Sequence, residues 1–123
     1  MTTTRLFTVT DANAELAELR ERLPRLRAAR QGLIASSARI EDAVAADGGG
    51  VAGSDWFRHQ QTLKEEVEFL AERGILLRDP ETGLVDFPAE RDGERVLLCW
   101  RLGEGEVAYF HTERSGFSGR RPL

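Results

Sequence analysis

The sequence lacks most features that mark secreted, membrane-spanning or nucleic-acid-binding proteins. Cys99 is its only cysteine, which excludes an internal disulfide framework and fits a reducing compartment such as the cytoplasm. No apolar run approaches the roughly 20 residues of a membrane span, and the N-terminus lacks the order of a signal peptide. The 17 basic residues are outnumbered by 21 acidic ones, whereas nucleic-acid-binding proteins usually carry a basic surplus. We therefore expect neither a membrane nor a nucleic acid as a partner.

The composition is that of one folded domain. The 123 residues are 41% hydrophobic and 31% charged, with a net charge of −4. A chain of this length has room for one substantial core, so we expect a single domain over residues 1–123.

The strongest periodic pattern predicts a long helix over residues 9–46. Thr8 and Asp11 form a capping-box variant at its start, and the glycines after Asp47 end it. Pro24 interrupts the helix without shifting the apolar spacing, which favours one kinked helix over two helices in line. The predicted heptad seam consists of Leu16, Leu19, Leu23, Leu26, Arg30, Leu33, Ser37, Ile40 and Val44.

A second helix is predicted over residues 54–73, with Ser54 as its N-cap and Gly74 as its stop. The short connection predicts an antiparallel, coiled-coil-like hairpin. If residue 46 lies opposite residue 54, residue 73 lies opposite about residue 27, and residues 9–26 extend beyond their partner.

Residues 75–111 predict a small antiparallel sheet that covers this extension. Three or four short apolar segments, rich in β-branched and aromatic residues, are separated by the turn sequences DPETG, PAERDG and GEGE. The fold class is therefore α+β: a long helical hairpin packed on a C-terminal β-meander. Residues 112–123 form a tail.

One face of the predicted sheet gathers the polar side chains. Pairing Leu102 with Glu106 places Cys99 opposite Tyr109, and closing the preceding turn between Ala89 and Glu94 places Asp86 beside Leu97. The apolar face carries Val96, Leu98, Trp100, Leu102, Ala108 and Phe110. The other face carries Asp86, Leu97, Cys99, Arg101, Val107, Tyr109 and His111.

Four segments resemble a small bacterial family catalogued as domain of unknown function 2203. These segments are LFTVTDANAEL near the N-terminus, GLVDFPAERDG, LCWRLGEGEVAYFH and the C-terminal SGFSGRRPL. The resemblance covers nearly the whole chain and implies no established activity.

Two site hypotheses follow from the polar face. Sulfur, imidazole and carboxylate ligands suit zinc or iron, and Cys99, His111, Asp86 and Glu113 would supply them. Alternatively, the face binds a small molecule through Asp86, Arg101, Tyr109, His111 and Arg120, with the tail folded over it. A purely structural arrangement, in which the tail shields the sheet, also fits these residues.

The sequence contains no recognisable catalytic motif, which favours a binding protein over an enzyme. Cys99 lies within a strand between Leu98 and Trp100, a position that favours an inert thiol over a nucleophile activated by His111. We expect a small cytoplasmic homo-oligomer that binds a ligand or metal through its sheet and self-associates through its helices. The alternative is a coiled-coil scaffold without a small-molecule site, because Arg30 and Ser37 would suit an interface seam.

Overall fold

The computed structural model describes residues 4–47 and 52–123, of which 40–47 and 52–54 are described by their backbone alone. Two helices precede a sheet of five antiparallel strands in the order β1-β2-β3-β4-β5, which confirms the α+β class. The elements are α1 (Val9–Asp47), α2 (Ala52–Arg73), β1 (Leu76–Asp79), β2 (Leu84–Arg91), β3 (Glu94–Arg101), β4 (Tyr109–His111), a 3-10 turn (Phe117–Gly119) and β5 (Arg121–Pro122).

The first helix begins at the predicted cap and continues through its proline. The Thr8 amide donates to the Asp11 carboxylate and the Asp11 amide donates to the Thr8 hydroxyl, each at 3.0 Å. These bonds hold the pKa of Asp11 below its usual value. Pro24 lies inside one uninterrupted helix, so the two-helix alternative is wrong. The second helix begins two residues before Ser54, which therefore does not cap it.

The register of the helical hairpin differs from the expected one. Arg73 contacts Glu15 at 3.0 Å, although the expected register places residue 73 near residue 27. Asp55 lies 3.5 Å from Arg39, whereas the expected register places residue 55 opposite residue 45. The expected register assumed that the first helix ends level with the start of the second. The second helix therefore covers the first as far as Glu15, and the predicted long extension does not exist.

The leucine stripe of α1 is buried against the sheet, as predicted. Leu16, Leu19, Leu23 and Leu26 belong to one core cluster with the apolar residues of the sheet and Leu70 of α2. At about 100° per residue, the buried Ala29 and Ser36 lie roughly 90° around the helix from this stripe, towards α2.

Beyond Ala29 the buried side of α1 faces α2, and this explains why two predicted seam positions are not core residues. Arg30 is 37% exposed and forms an ion pair with Glu81, and the hydroxyl of Ser37 accepts a 3.0 Å bond from Trp56 Nε1. Both positions follow the sheet-facing stripe beyond the part that the sheet covers. The predicted seam positions Ile40 and Val44 lie outside the residues whose side chains are described.

The turn between β2 and β3 is tighter than expected. Arg91 pairs with Glu94, so Asp92 and Gly93 alone form the turn. Both have positive φ values, 53° and 78°, as a two-residue type I′ hairpin requires. Asp86 therefore lies opposite Cys99 instead of Leu97. A shift of two residues preserves the face of the sheet, so Asp86 remains on the predicted side.

The pairing of β3 with β4 follows the predicted register, with Cys99 opposite Tyr109 and Leu97 opposite His111. The segment before β4 is irregular, and this reverses the predicted faces of two residues. Val107 enters the core, where its amide donates to Asn13 Oδ1 at 2.8 Å, whereas Ala108 is exposed. The tail also differs from the prediction because it ends as β5 beside β4, which raises the strand count to five.

The two faces of the sheet have different neighbours. The inner face packs against the helices through Val85, Phe87, Ala89, Val96, Leu98, Trp100 and Phe110. The outer face carries the alternate residues, including Asp86, Leu97, Cys99, Tyr109 and His111. Neither described helix combines the length and apolar content needed to cross a bilayer.

Candidate functional site

Three predicted ligand residues converge on the outer face. Asp86, Cys99 and Tyr109 form one row across β2, β3 and β4, and His111 belongs to the neighbouring row. One ligand atom from each of Asp86, Cys99 and His111 lies within 4.8 Å of the other two. All three residues are at least 96% buried. We refer to them as the Asp86–Cys99–His111 cluster.

Both ring nitrogens of His111 face hydrogen-bond acceptors. Nδ1 lies 2.7 Å from the carbonyl oxygen of Thr112, and Nε2 lies 3.1 Å from Asp86 Oδ1. The carbonyl requires a proton on Nδ1. A neutral imidazole has only one N–H, so its Nε2 lone pair would face a carboxylate oxygen. The contact is satisfied by a second ring proton or by a cation between the two atoms.

The carboxylate of Asp86 is shared between two partners. Its Oδ2 accepts a 2.8 Å hydrogen bond from Arg78 Nε, while its Oδ1 faces His111. Arg78 lies at an irregularity in the pairing of β1 with β2. The arginine therefore orients the carboxylate and leaves one oxygen directed at the imidazole.

The Cys99 thiol is held in its protonated form. Burial, together with the nearby Asp86 carboxylate, raises the pKa of Cys99 to about 11, and the Arg120 guanidinium beside the thiol opposes this rise. A thiol with this pKa is a poor nucleophile at neutral pH, which agrees with the interpretation of Cys99 as unreactive. It becomes a strong ligand when a metal ion displaces its proton.

The other candidate ligand residues are engaged elsewhere or lie beside the cluster. Arg120 makes two hydrogen bonds with Glu104, at 2.8 and 3.1 Å, and stacks between the rings of Tyr109 and Phe117. These contacts hold the tail over Tyr109 and occupy the guanidinium. Arg101 also lies near the Phe117 ring, 5.3 Å from its centre.

A cavity of about 300 Å³ opens beside the cluster. Asp86 and His111 line it together with Arg78, Glu113 and Phe117. Glu113, predicted as a fourth metal ligand, is an exposed residue outside the three-residue cluster. The cavity therefore borders the cluster at Asp86 and His111, and Cys99 is not among its lining residues.

Two groups of the site, Arg78 and the Thr112 carbonyl, were not predicted from the sequence. In a regular strand Leu76 and Arg78 lie on the same face. Pairing β1 with β2 would therefore have placed Arg78 near Asp86. The backbone irregularity at this point hides that placement from a regular strand pattern. A backbone carbonyl leaves no signal in the identity of its residue.

The fold and the cluster together define an α+β protein with a buried oxygen, nitrogen and sulfur ligand set. The family model described as an uncharacterized conserved protein (DUF2203) matches residues 5–123, so the chain belongs to this family. Neither a curated protein nor a solved structure matches the chain significantly.

Proposed function

We propose that the protein binds a divalent transition-metal ion, zinc first, through Asp86 Oδ1, Cys99 Sγ and His111 Nε2. The main support is the close approach of His111 Nε2 to a carboxylate oxygen while Nδ1 is committed to a backbone carbonyl. An ion between Nε2 and Oδ1 removes this conflict without a second ring proton. A carboxylate, a thiolate and an imidazole form a ligand set that zinc accepts.

The spacing of the cluster suits one ion after a small contraction. Ligand atoms at about 2.0–2.3 Å from a tetrahedral zinc ion lie about 3.3–3.8 Å apart. The Nε2–Oδ1 separation is 3.1 Å, and no pair in the cluster exceeds 4.8 Å. Three protein ligands leave a fourth coordination position for water or another small ligand.

The groups around the cluster support the same assignment. The Thr112 carbonyl fixes the ring proton of His111 on Nδ1, and Arg78 holds the second oxygen of Asp86. Such contacts from surrounding residues orient metal ligands and tune the bound ion. Because the Cys99 thiolate must stay reduced, the proposal also requires a reducing compartment such as the cytoplasm.

Titration of the chelator-treated full-length protein with zinc and cobalt(II) tests the proposal. We expect one ion per chain and a cobalt–thiolate absorption band that is lost in Cys99→Ser. His111→Ala and Cys99→Ser should each weaken zinc binding by at least about a hundredfold. Glu113→Gln is the matched control, because it removes an acid beside the cluster and should leave zinc affinity unchanged.

The pH dependence provides a second readout. Because the metal must displace the thiol proton of Cys99, this proton alone makes zinc affinity rise about tenfold per pH unit between pH 6 and 8. The slope should fall by one proton in Cys99→Ser. A wild-type protein that binds no zinc, or equal slopes in the two proteins, would refute the metal site.

We propose self-association through the helices as a second function. A shallow groove of about 700 Å³ runs along the hairpin, and its walls include Leu33, Phe57, Leu63 and Val67. Phe57 is 67% exposed and Val67 43% exposed. Lys64 is the only charged residue among those lining this groove. Two antiparallel copies can therefore place Phe57 of each against Val67 of the other with little charge conflict.

Sedimentation of the wild-type protein over a concentration series tests this second proposal. We expect a dimer that Phe57→Ser shifts to a monomer. Leu6→Ser is the control, since Leu6 is 42% exposed and lies before α1, outside the groove. A wild-type protein that remains monomeric at millimolar concentration would contradict self-association.

A further inference from the structure

A larger cleft lies next to the Asp86–Cys99–His111 cluster and is not used by the proposed ion. Its volume is about 660 Å³, within the usual range for small-molecule sites. It shares Arg78, Leu97 and Glu113 with the smaller cavity beside Asp86 and His111. The two spaces are therefore neighbours, and the smaller one borders Asp86 and His111.

The floor of this cleft is apolar and follows the outer face of the sheet. Leu97 pairs with Pro88 across β2 and β3, and Leu76 of β1 lines the same cleft. Arg95, Leu97 and Cys99 alternate along β3 and thus share one face. Four residues of strand separate the backbone of Arg95 from that of Cys99 by about 13 Å.

Three arginines and two glutamates line the cleft, and Glu90 lies opposite Arg95 in the pairing of β2 with β3. Arg5, Arg78 and Arg95 line it, against Glu72 and Glu113. Arg5 lies 3.7 Å from Glu15, and Arg78 bonds Asp86 through Nε. The exposed Arg95 makes no hydrogen bond or ion pair with the described residues. Its planar guanidinium is suited to a carboxylate or phosphate.

We infer that this cleft binds a small, elongated organic anion. Arg95 holds its carboxylate or phosphate, the apolar body lies on Leu76, Pro88 and Leu97, and the far end reaches the cluster. The last part rests on the proposed function, because the far end meets the fourth coordination position of the bound ion. The anion-binding part depends only on the cleft and is tested without metal.

The first test titrates hexanoate and hexyl phosphate into chelator-treated, isotope-labelled full-length protein and follows backbone amide resonances. We expect shifts at Gly74, Leu76 and Leu97, and no comparable shifts with hexanol. Arg95→Gln should weaken binding of both anions about tenfold. Arg58→Gln is the control for net charge, because Arg58 lies on α2 outside the cleft and its ion pair with Asp55 is exposed.

The second test compares hexanoate with 6-mercaptohexanoate on the zinc-loaded protein. The thiol end should bind the ion, so the second compound should bind at least tenfold more tightly, and only when zinc is present. Equal binding of the two compounds to zinc-loaded protein would refute the orientation towards the cluster. Equal binding of hexanoate to wild type and Arg95→Gln, or equal binding of hexanol, would overturn the cleft as an anion site, whatever the zinc titration shows.

Discussion

The centres of the two faces of the sheet are both buried but differ in chemistry. On the inner face, Val85, Phe87 and Trp100 are fully buried against the helices. On the outer face, Asp86 and Cys99 are only 2% and 1% exposed, yet they are an acid and a thiol. Burial of apolar surface stabilises a fold by roughly 25 cal/mol per Å², whereas a buried ionisable group must recover its lost hydration through partners.

The difference bears on the proposed metal site of the outer face. In the described part of the chain no buried polar side-chain atom lacks a neighbour within hydrogen-bonding distance, and the His111–Asp86 contact is met by a second ring proton or a bound cation. Replacing such buried polar groups by well-packed apolar ones is often neutral or stabilising. The fold therefore requires its inner face, while the outer face has a composition that folding alone does not explain.

The largest expected effect is on the inner face. Trp100→Ala should destabilise the protein by about 3–5 kcal/mol, because it opens a cavity beneath the helices and removes the 2.8 Å bond from Nε1 to the Gly105 carbonyl. Chemical denaturation followed by circular dichroism measures this loss. A loss below about 1 kcal/mol would show that the inner face does not dominate stability.

The next largest effect on stability is expected on the outer face, where removing Asp86 alone should cost more than removing Asp86 and His111 together. Asp86→Ala should cost about 2 kcal/mol in metal-free protein, because it leaves the buried His111 ring without its Nε2 partner while Arg78 can turn to water. The double variant Asp86→Leu with His111→Leu should cost less than the single variant. If the double variant is instead the less stable of the two, the outer-face polar pair contributes to folding.

A smaller effect concerns the contact that holds the tail over the outer face. Burial alone would raise the pKa of Glu104, but hydrogen bonds from Arg120 and the Arg101 amide outweigh it and lower the pKa below 4.5. A lowered folded-state pKa means that this stabilisation is present above pH 4.5 and lost as the pH falls through the folded value. Amide protection factors in residues 117–121, which correct for the intrinsic slowing of exchange in acid, should fall as the pH drops through this folded-state pKa.

The variant Glu104→Gln provides the control for this pH effect. It should show lower protection factors in the tail at neutral pH and little further change on acidification. An acid-induced loss of protection of the same size in this variant would assign the effect to another group.

The smallest expected effect on stability is at Cys99. In metal-free protein Cys99→Ala should change the free energy of unfolding by about 1 kcal/mol, because the site loses one sulfur atom. The same substitution should abolish the cobalt–thiolate band. A loss of several kcal/mol would place Cys99 with the structural residues of the inner face and weaken the contrast between the faces.

The sequence patterns predicted the buried stripe of α1 and what covers it better than they predicted the register of the two helices. The leucine stripe from Leu16 to Leu26 is buried against the sheet, as predicted. Spacing defines one face of a helix but not how far along it a partner lies, so the second helix was placed too far along the first. Arg30 was assigned to the seam by spacing alone. It lies beyond the part of the stripe that the sheet covers, and it pairs with Glu81.

The cluster was predictable because strand alternation has a period of two. The position assigned to Asp86 was wrong by two residues, since the Asp92–Gly93 turn was read as longer, yet the face was unchanged. Val107 was assigned to the wrong face because the irregular backbone before β4 breaks this alternation. Arg78 and the Thr112 carbonyl depend on local backbone geometry, which residue identity does not encode.

Asp86 connects parts of the sheet that are distant in the chain. It lies on β2, and its two partners come from β1 at the edge and from β4 beyond β3. Any occupant of the cluster would tie these strands together across the sheet. Loading the site should therefore raise the melting temperature and slow proteolysis of the C-terminal segment, so occupancy could regulate how long the protein survives in a cell.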